Sequence, residues 1–413
     1  SLIYSPWPSY GNVTFQNADP DKPRVHPVHY SNNTLDLDKT SFKVDIITTP
    51  DSPGDQISVP HAHYFAYSAS ENAPYLVVLD GNSEEIQYFK VTLDLGTGFH
   101  EKVSALTEET PPPSELITGR TYSEERQNFA NWFSYSRRRE YVAKAALGKV
   151  LQDIENVRVG IYGLNKKVVL PLKKVKTINS NSELEDEVDT LLEKLYDYVS
   201  SGSTPLNAGF NTVGKYFETN DGNLAGQSGP NPYGDEAAGG ACQQSFTIVV
   251  TDGYYTDPGS VDIGGNLDDN SDIGKPYKDW GGGVHPYKDN AKNTLADLAF
   301  YYYANDLNTT LPNKLPLNHF DSAPHQHMVT LGVAFGVNGT LDPQDYTDTY
   351  HHRTTGNPIE WPTVPGGQTP QTIDDLWHAT VNGRGQFKSA KNPVNLANAL
   401  LELMKSIVEI TKG

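Results

Sequence analysis

The sequence predicts an α/β fold in which helices flank a mostly parallel sheet, with large insertions rich in strands and loops. From about residue 121 onward, apolar runs rich in Val, Ile and Leu alternate with segments whose apolar residues recur at helical spacing. The apolar runs are continuous, which is typical of strands buried on both faces, as in parallel sheets. We therefore expect a strand- and loop-rich extension over residues 1–120 and an α/β core over residues 121–413.

The first region contains three strand-like runs, "HAHYFAYS", "APYLVVLDG" and "EEIQYFKVTLDL". Asp80, Gly81 and Asn82 lie between the last two runs and predict a hairpin turn. The Pro-rich stretch "TEETPPPSE" follows, and it predicts a stiff linker before the α/β region.

The α/β region begins with a helix whose first residues, Thr121 and Glu124, match a capping box. Two apolar strands follow, "VRVGIYGL" and "KVVLPLKKV". Ser182 and Glu185 predict the cap of the amphipathic helix "LEDEVDTLLEKLYDYV". In "TPLNAGFNTVGKYF", Pro205 is suited to the first turn of the next helix.

The remaining elements continue the alternation of strand and helix. The apolar run "SFTIVVT" ends in Asp252 and is followed by a long acidic, glycine-rich loop. Thr372 is predicted to cap one of the helices that come after this loop. The later elements are, in order, the helix "NTLADLAFYYYAND", the strand "HMVTLGVAFGV", the helix "TIDDLWHATV", the strand "GQFKSA" and the helix "NPVNLANALLELMKSIVEI".

Composition excludes several functional classes. The 413 residues carry 32 basic and 51 acidic side chains, a formal net charge of −19, which argues against nucleic acid as the main partner. No apolar run approaches the length of a membrane-spanning helix, so no membrane span is expected. Cys242 is the only cysteine, so no disulfide forms within the chain, and we expect a buried free thiol with an intermolecular bond as the alternative.

Several phrases in order resemble one known family. They are "NFANWFSYSRRREYVAKAALGKVL", "STPLNAGFNTVGKYF", "QSFTIVVTDGYYTD", "NTLADLAFYYYANDL", "HMVTLGVAFGVNGTLDP" and "IDDLWHATVNGRGQF". Together they resemble the amino-terminal half of the PilY/PilC-type adhesins of type IV pilus tips, over roughly residues 60–411. The resemblance implies a von Willebrand factor A-like domain, outside the bacterial cell at the pilus tip, with no enzymatic activity. It also implies roles in pilus biogenesis, surface adhesion and mechanosensing, with minor pilins and a host or abiotic surface ligand as partners.

The resemblance further implies a metal-ion-dependent adhesion site at the carboxyl edge of the sheet, binding Mg²⁺ or Ca²⁺. Thr204 in "GSTPL" and Asp252 in "VVTDG" match two of its ligand positions. The Asp-x-Ser-x-Ser loop of such sites does not occur in this sequence, so the site looks incomplete. Since the family carries that loop after a first strand, we expect a separate segment to supply the strand and to complete the sheet.

Two other groups of residues offer metal ligands. The acidic loop has oxygen ligands of the kind Ca²⁺ prefers, but their spacing does not match an EF-hand, so a solvated loop is favoured over a Ca²⁺ site. These residues are Asp257, Asp262, Asn266, Asp268, Asp269, Asn270 and Asp272.

The pairs His61/His63 and His325/His327 could begin a zinc site, although structural histidines are the favoured interpretation. Two alternatives to a pilus adhesin remain. One is a generic secreted A-type binding domain, and the other is a divalent-metal hydrolase that would use these metal ligands.

Overall fold

A computed structural model describes most of the chain beyond residue 41. The described ranges are 42–45, 56–59, 62–95, 101–135, 139–166, 168–198, 200–269, 277–318, 321–343, 359–391 and 393–412. The chain divides into two compact units, residues 1–142 and residues 143–413. The boundary predicted from sequence, at residues 120 and 121, stays a prediction.

The first unit is built on antiparallel strands. Two short strands pair with each other, β1 (Phe42–Asp45) and β2 (Gln56–Val59). A four-stranded antiparallel sheet follows in chain order: β3 (His63–Ser68), β4 (Ala73–Asp80), β5 (Glu85–Leu95) and β6 (Glu101–Glu108). The helix α1 (Tyr122–Tyr135) comes next.

Two local predictions for the first unit, the hairpin turn and the helix cap, are confirmed. Asp80 faces Glu85 across the β4–β5 pair, and the Asp80 carboxylate accepts the backbone N–H of Asn82 at 2.8 Å, which closes the hairpin turn. At the start of α1, the Glu124 carboxylate accepts the N–H of Thr121 at 2.8 Å, and the Thr121 hydroxyl accepts the N–H of Glu124 at 3.3 Å. This is the reciprocal capping box that the sequence predicts.

The second unit alternates helices with strands. The unit boundary falls within the helix α2 (Arg139–Asp153). The helices that follow it are α3 (Val188–Asp197), α4 (Leu206–Thr219), α5 (Leu295–Ala304), α6 (Gln371–Asn382) and α7 (Pro393–Lys412). Its longer strands are β7 (Val157–Tyr162), β8 (Val169–Val175), β13 (Ser245–Thr251), β14 (Met328–Phe335) and β15 (Arg384–Ala390). Its two-residue strands are β9 (Thr177–Ile178), β10 (Leu184–Glu185), β11 (Asn223–Leu224) and β12 (Gln227–Ser228).

The central element of the second unit is a parallel sheet in the order β13–β14–β15. Every residue of β14 is buried, as expected for the middle strand of a parallel sheet. A separate antiparallel pair joins β7 to β8, because the connection between them is too short for a parallel crossover. The mixed α/β class is therefore confirmed, whereas a mostly parallel sheet is not: three of the described strands are parallel, and the other pairs are antiparallel.

The main apolar core of the second unit lies between helices α4 and α5 and the parallel sheet. It includes Leu206 and Phe210 from α4, Leu298 and Tyr302 from α5, and Met328 from β14. The packing between the two helices is close enough that a Cβ at position 214 of α4 would lie 2.2 Å from the Tyr302 ring. Val249 of β13 belongs to the same core, which thus fixes both helices against the strand that ends directly before Asp252.

Two predicted helix caps are wrong. Glu185 lies in β10, because Leu184 and Glu185 pair with β9 and hold the chain extended, so α3 begins only after Glu187. Thr372 lies inside the first turn of α6, where its hydroxyl donates to the carbonyl oxygen of Thr369 at 2.7 Å instead of accepting from the helix. In both cases tertiary or turn contacts outweigh the local pattern.

Cys242 corrects another expectation: the thiol predicted to be buried is exposed. It lies at the end of a short 3-10 turn (Gly240–Cys242) that precedes β13, in which Gly240 and Ala241 are buried and Cys242 is exposed. None of the described helices is both long and apolar enough to cross a membrane.

Candidate functional site

The carboxyl end of β13 presents Asp252 to solvent. The strand ends at Thr251, whose buried hydroxyl donates to the carbonyl oxygen of Gly253 at 2.8 Å and accepts the Gly253 N–H at 3.3 Å. These two bonds turn the chain as it leaves the sheet. Asp252, between the two bonded residues, is exposed.

The loop that carries Thr204 is held next to the loop that follows Asp252. The carbonyl oxygen of Thr204 accepts the backbone N–H of Thr256 at 2.9 Å and that of Leu206 at 3.0 Å. Thr204 is half-buried, immediately before α4. The structure therefore joins the two loops that carry the sequence-predicted ligands, while the ligand role of either side chain stays a prediction.

Asp257 in the same loop caps helix α4. One carboxylate oxygen accepts the N–H of Asn207 at 3.1 Å, and the other accepts the N–H of Ala208 at 3.0 Å. A carboxylate at a helix N-terminus satisfies free N–H groups and interacts favourably with the helix dipole. The Asp257 carboxylate thus serves to fix the loop to the helix.

A second group of polar residues lies inside the unit. Asp268, Asp289 and His378 each place one possible ligand atom within 4.8 Å of the other two, so the three side chains could hold a metal ion. Their side chains are 0 %, 5 % and 1 % exposed, respectively. The two aspartates come from the long loop between β13 and α5, and the histidine comes from α6.

The hydrogen bonds of His378 define its tautomer. Its Nε2 lies 2.6 Å from the carbonyl oxygen of Tyr287, and a carbonyl only accepts, so Nε2 carries the proton. Nδ1 lies 3.6 Å from an Asp289 carboxylate oxygen, and Nε2 lies 3.5 Å from an Asp268 oxygen. The imidazole is stacked on the Trp361 ring, with 4.2 Å between centroids.

Burial is the main electrostatic influence on this group. It raises the pKa of Asp268 well above its usual value, and the neighbouring charges of Asp297 and Asp289 add to the effect. Burial also lowers the pKa of His378 to about 4, against the opposing charge of Asp289. These directions favour a neutral imidazole and a protonated Asp268 carboxyl group.

Two further buried carboxylates cap helix α5. Asp297 completes a capping box with Thr294, accepting its N–H at 2.9 Å. Asp375 of α6 accepts the N–H groups of Leu295 and Ala296, each at 3.0 Å. Burial raises the pKa of Asp297 to about 7 and that of Asp375 to about 6.

The buried group was missed by sequence reasoning, apart from Asp268 as one member of the acidic loop. Its members are distant in the chain, and no local motif connects them. One signal was present: Asp375, His378 and Asn382 are spaced i, i+3 and i+7, so three polar residues share one face of α6. Asn270 and Asp272, also named as possible calcium ligands, lie outside the described residues.

Of the two histidine pairs considered from the sequence as zinc ligands, His325 and His327 have structural partners. His327 contacts the carbonyl oxygen of His325 through Nδ1 at 2.7 Å and the Asp321 carboxylate through Nε2 at 2.9 Å. His325 contacts the carbonyl oxygen of Tyr303 at 2.9 Å. This is the structural role that the sequence favoured, and His61 of the other pair lies outside the described residues.

Three curated proteins from strains of Pseudomonas aeruginosa are similar to this chain, and each is described as type IV pilus biogenesis factor PilY1. The protein of strain PAO1 is 26 % identical over 450 aligned positions, which cover 96 % of this chain and 36 % of that protein. The protein of strain UCBPP-PA14 is 28 % identical over 310 positions, covering 68 % of this chain and 25 % of the relative. The protein of strain PAK is 29 % identical over 318 positions, covering 68 % and 26 %.

These similarities confirm the resemblance predicted from the ordered phrases: the chain is similar to type IV pilus factors, and among them to those of the PilY1 type. The matches cover between 25 % and 36 % of the length of these relatives. No protein-family model and no solved structure matches the chain.

Proposed function

We propose that this chain is a non-enzymatic adhesion and assembly domain of a type IV pilus tip protein. The observation that supports it most is similarity over 96 % of the chain to a protein described as a pilus biogenesis factor. The domain acts outside the bacterial cell, at the pilus tip, with minor pilins as assembly partners and a host or abiotic surface as the adhesion ligand. The net charge of −19 agrees with a protein partner or a surface ligand and opposes nucleic acid.

The proposed binding site is the carboxyl edge of the β13–β14–β15 sheet, in an A-type arrangement. Asp252 is exposed where β13 ends, and the Thr256-to-Thr204 hydrogen bond of 2.9 Å holds the second loop beside it. Thr204 and Asp252 contribute oxygen ligands to Mg²⁺ or Ca²⁺. Mg²⁺ in particular keeps several of its waters, and a carboxylate of the incoming ligand replaces one of them.

In this proposal, the β13–β14–β15 sheet also accepts a further strand from another segment. Among the described strands, β13 pairs with β14 alone, so the other edge of β13 is available for a parallel strand. Hydrogen exchange tests this. The β13 amides that face the open edge should exchange faster in this chain alone than in the full-length protein, and equal rates would contradict the added strand.

The buried position of the Asp268, Asp289 and His378 group supports binding over hydrolysis. A catalytic metal keeps an open position for water and substrate. These three side chains are at most 5 % exposed, so a substrate has little access to them in the described part of the chain. The divalent-metal hydrolase considered from the sequence therefore gains no support from this group.

The pilus role is tested by deleting the gene in the bacterium that encodes the chain. We expect a loss of surface pili that the wild-type gene restores, and immunogold label raised against residues 143–413 at the tips of the restored pili. Normal numbers of functional pili in the deletion strain, together with no label on the pili of the restored strain, would refute the proposal.

A further inference from the structure

The buried Asp268, Asp289 and His378 group has an electrostatic conflict that a proton or a cation must resolve. Because Nε2 of His378 donates to Tyr287, the lone pair of the neutral imidazole is on Nδ1. That lone pair faces an Asp289 carboxylate oxygen at 3.6 Å, inside the protein. Two electron-rich atoms that face each other at low dielectric repel unless a positive charge lies between them.

The nearest arginine along the chain does not supply that charge. The Arg384 guanidinium donates to the carbonyl oxygens of Asn382 at 2.7 Å and Val381 at 3.2 Å, and it lies 3.9 Å from the centre of the Tyr287 ring. Its hydrogen bonds are therefore made to backbone carbonyls. The two carboxyl groups are therefore accommodated either by a bound proton or by a cation from outside the chain.

Asn382 provides a second, independent sign of a missing partner. The residue is 0 % exposed, and its Oδ1 atom has no hydrogen-bond partner among the described residues. Its Nδ2 atom donates to Asp268 at 2.9 Å, so the amide lies beside the group. The same Nδ2 atom donates to the carbonyl oxygen of Ala296 at 3.3 Å, so rotating the amide by half a turn would give up both bonds and turn Oδ1 toward the group, where a cation would be its partner. A buried, unsatisfied amide oxygen costs free energy that a bound cation would offset.

We propose that Asp268, Asp289 and His378 bind one divalent transition-metal ion, of the class that includes Zn²⁺ and Mn²⁺, as a structural site. The separation of 3.6 Å between Nδ1 of His378 and the Asp289 oxygen suits this ion. Bonds of about 2.0–2.1 Å in a tetrahedral site place two ligand atoms roughly 3.4 Å apart. The hydrogen bond from Nε2 to Tyr287 orients the ring, as the partners of metal-binding histidines commonly do.

The imidazole selects the class of metal. Mg²⁺ and Ca²⁺ prefer oxygen ligands alone, whereas Zn²⁺ and Mn²⁺ accept one nitrogen with carboxylates. This site is therefore chemically distinct from the proposed edge site at Thr204 and Asp252. The proposal of a buried ion does not depend on the proposed pilus function.

The ion would link two positions of the loop between β13 and α5 to helix α6. Asp268 and Asp289 lie 21 positions apart in the loop between β13 and α5, and His378 lies on α6. The same loop begins at Asp252. A bound ion would thus order the segment that carries the exposed carboxylate of the edge.

The test uses the purified chain after dialysis against EDTA. Zn²⁺ and Mn²⁺ are titrated by calorimetry, and the melting temperature is measured with and without each ion. We expect binding of one equivalent and a rise in melting temperature by mass action. The variants Asp289→Asn and His378→Gln should weaken binding by at least tenfold, whereas Asp262→Asn, at an exposed position of the same loop, should bind as the wild type does.

Two results would overturn the proposal. One is a wild-type chain that neither binds these ions nor melts at a higher temperature in their presence. The other is equal affinity in wild type and Asp289→Asn when both give the same circular dichroism spectrum, which would assign the binding to other residues. If His378→Gln does not fold, the absorption spectrum of Co²⁺ bound to Asp289→Asn replaces it, and an unchanged d–d spectrum contradicts the site.

Discussion

Replacing Asp375 with alanine should destabilise the second unit strongly. This buried carboxylate accepts the N–H groups of Leu295 and Ala296 at 3.0 Å each and the hydroxyl of Tyr255. In the alanine variant all three donors lose their acceptor inside the protein. A buried donor left unsatisfied costs about 1–3 kcal/mol, so even at the lower value the loss is about 3 kcal/mol.

The assay is thermal unfolding of the purified chain, monitored by circular dichroism. For a unit of this size, about 3 kcal/mol corresponds to a fall in melting temperature of roughly 6–12 °C. Asp262→Ala is the matched control, because Asp262 is exposed and its carboxylate accepts the N–H of Gly264 at 3.1 Å in the same loop. A fall of less than about 2 °C in Asp375→Ala would refute the argument that this carboxylate supports the start of α5.

Three further outcomes are expected. Glu115 has a pKa lowered to about 2 by hydrogen bonds from two serines, so its stabilising contribution is present above its ordinary pKa of 4.5 and is lost as the pH falls toward 2. Glu115→Gln should therefore lower the melting temperature at pH 7, and the gap to wild type should narrow at pH 3; a gap that widens would contradict this sign. Gly214→Ala should lower the free energy of unfolding by about 1–3 kcal/mol, because the added Cβ would lie 2.2 Å from the Tyr302 ring. Gly366→Ala is the control: its added Cβ has no atom within 4 Å, so it should be nearly neutral in the same thermal assay. Cys242 should react with a thiol reagent in the native chain as fast as in a peptide, since it is exposed, and protection in the native chain would argue against that exposure.

The sequence predicts those features that depend on local patterns. The strands β13 and β14 follow from continuous apolar runs, and the cap of α1 follows from Thr121 and Glu124 three residues apart. The cap of α3 does not follow, because Leu184 and Glu185 pair with β9 just before the helix and hold the predicted cap residue in an extended strand. A capping pattern therefore predicts a helix start only where the same residues do not pair with a neighbouring strand.

The site shows the same division. Asp252 is predictable because it directly follows an apolar strand, and the carboxyl ends of parallel strands are where open sheets place ligands. The buried group was not predictable, because Asp268, Asp289 and His378 are far apart in the chain and meet only in the folded structure, where α6 packs on α5. His378 looks like an ordinary polar position in a helix until its ring is found between two carboxylates.

The most direct test of the proposed function is the attachment of piliated cells that carry Asp252→Ala in the full-length protein. The comparison strains carry the wild-type gene and Asp262→Ala, an exposed aspartate ten positions later in the same loop. We expect normal numbers of pili in all strains, with cation-dependent attachment lost only in Asp252→Ala. Attachment by Asp252→Ala equal to that of the wild type, in the presence of Mg²⁺ and Ca²⁺, would contradict ligand binding at this edge of the sheet.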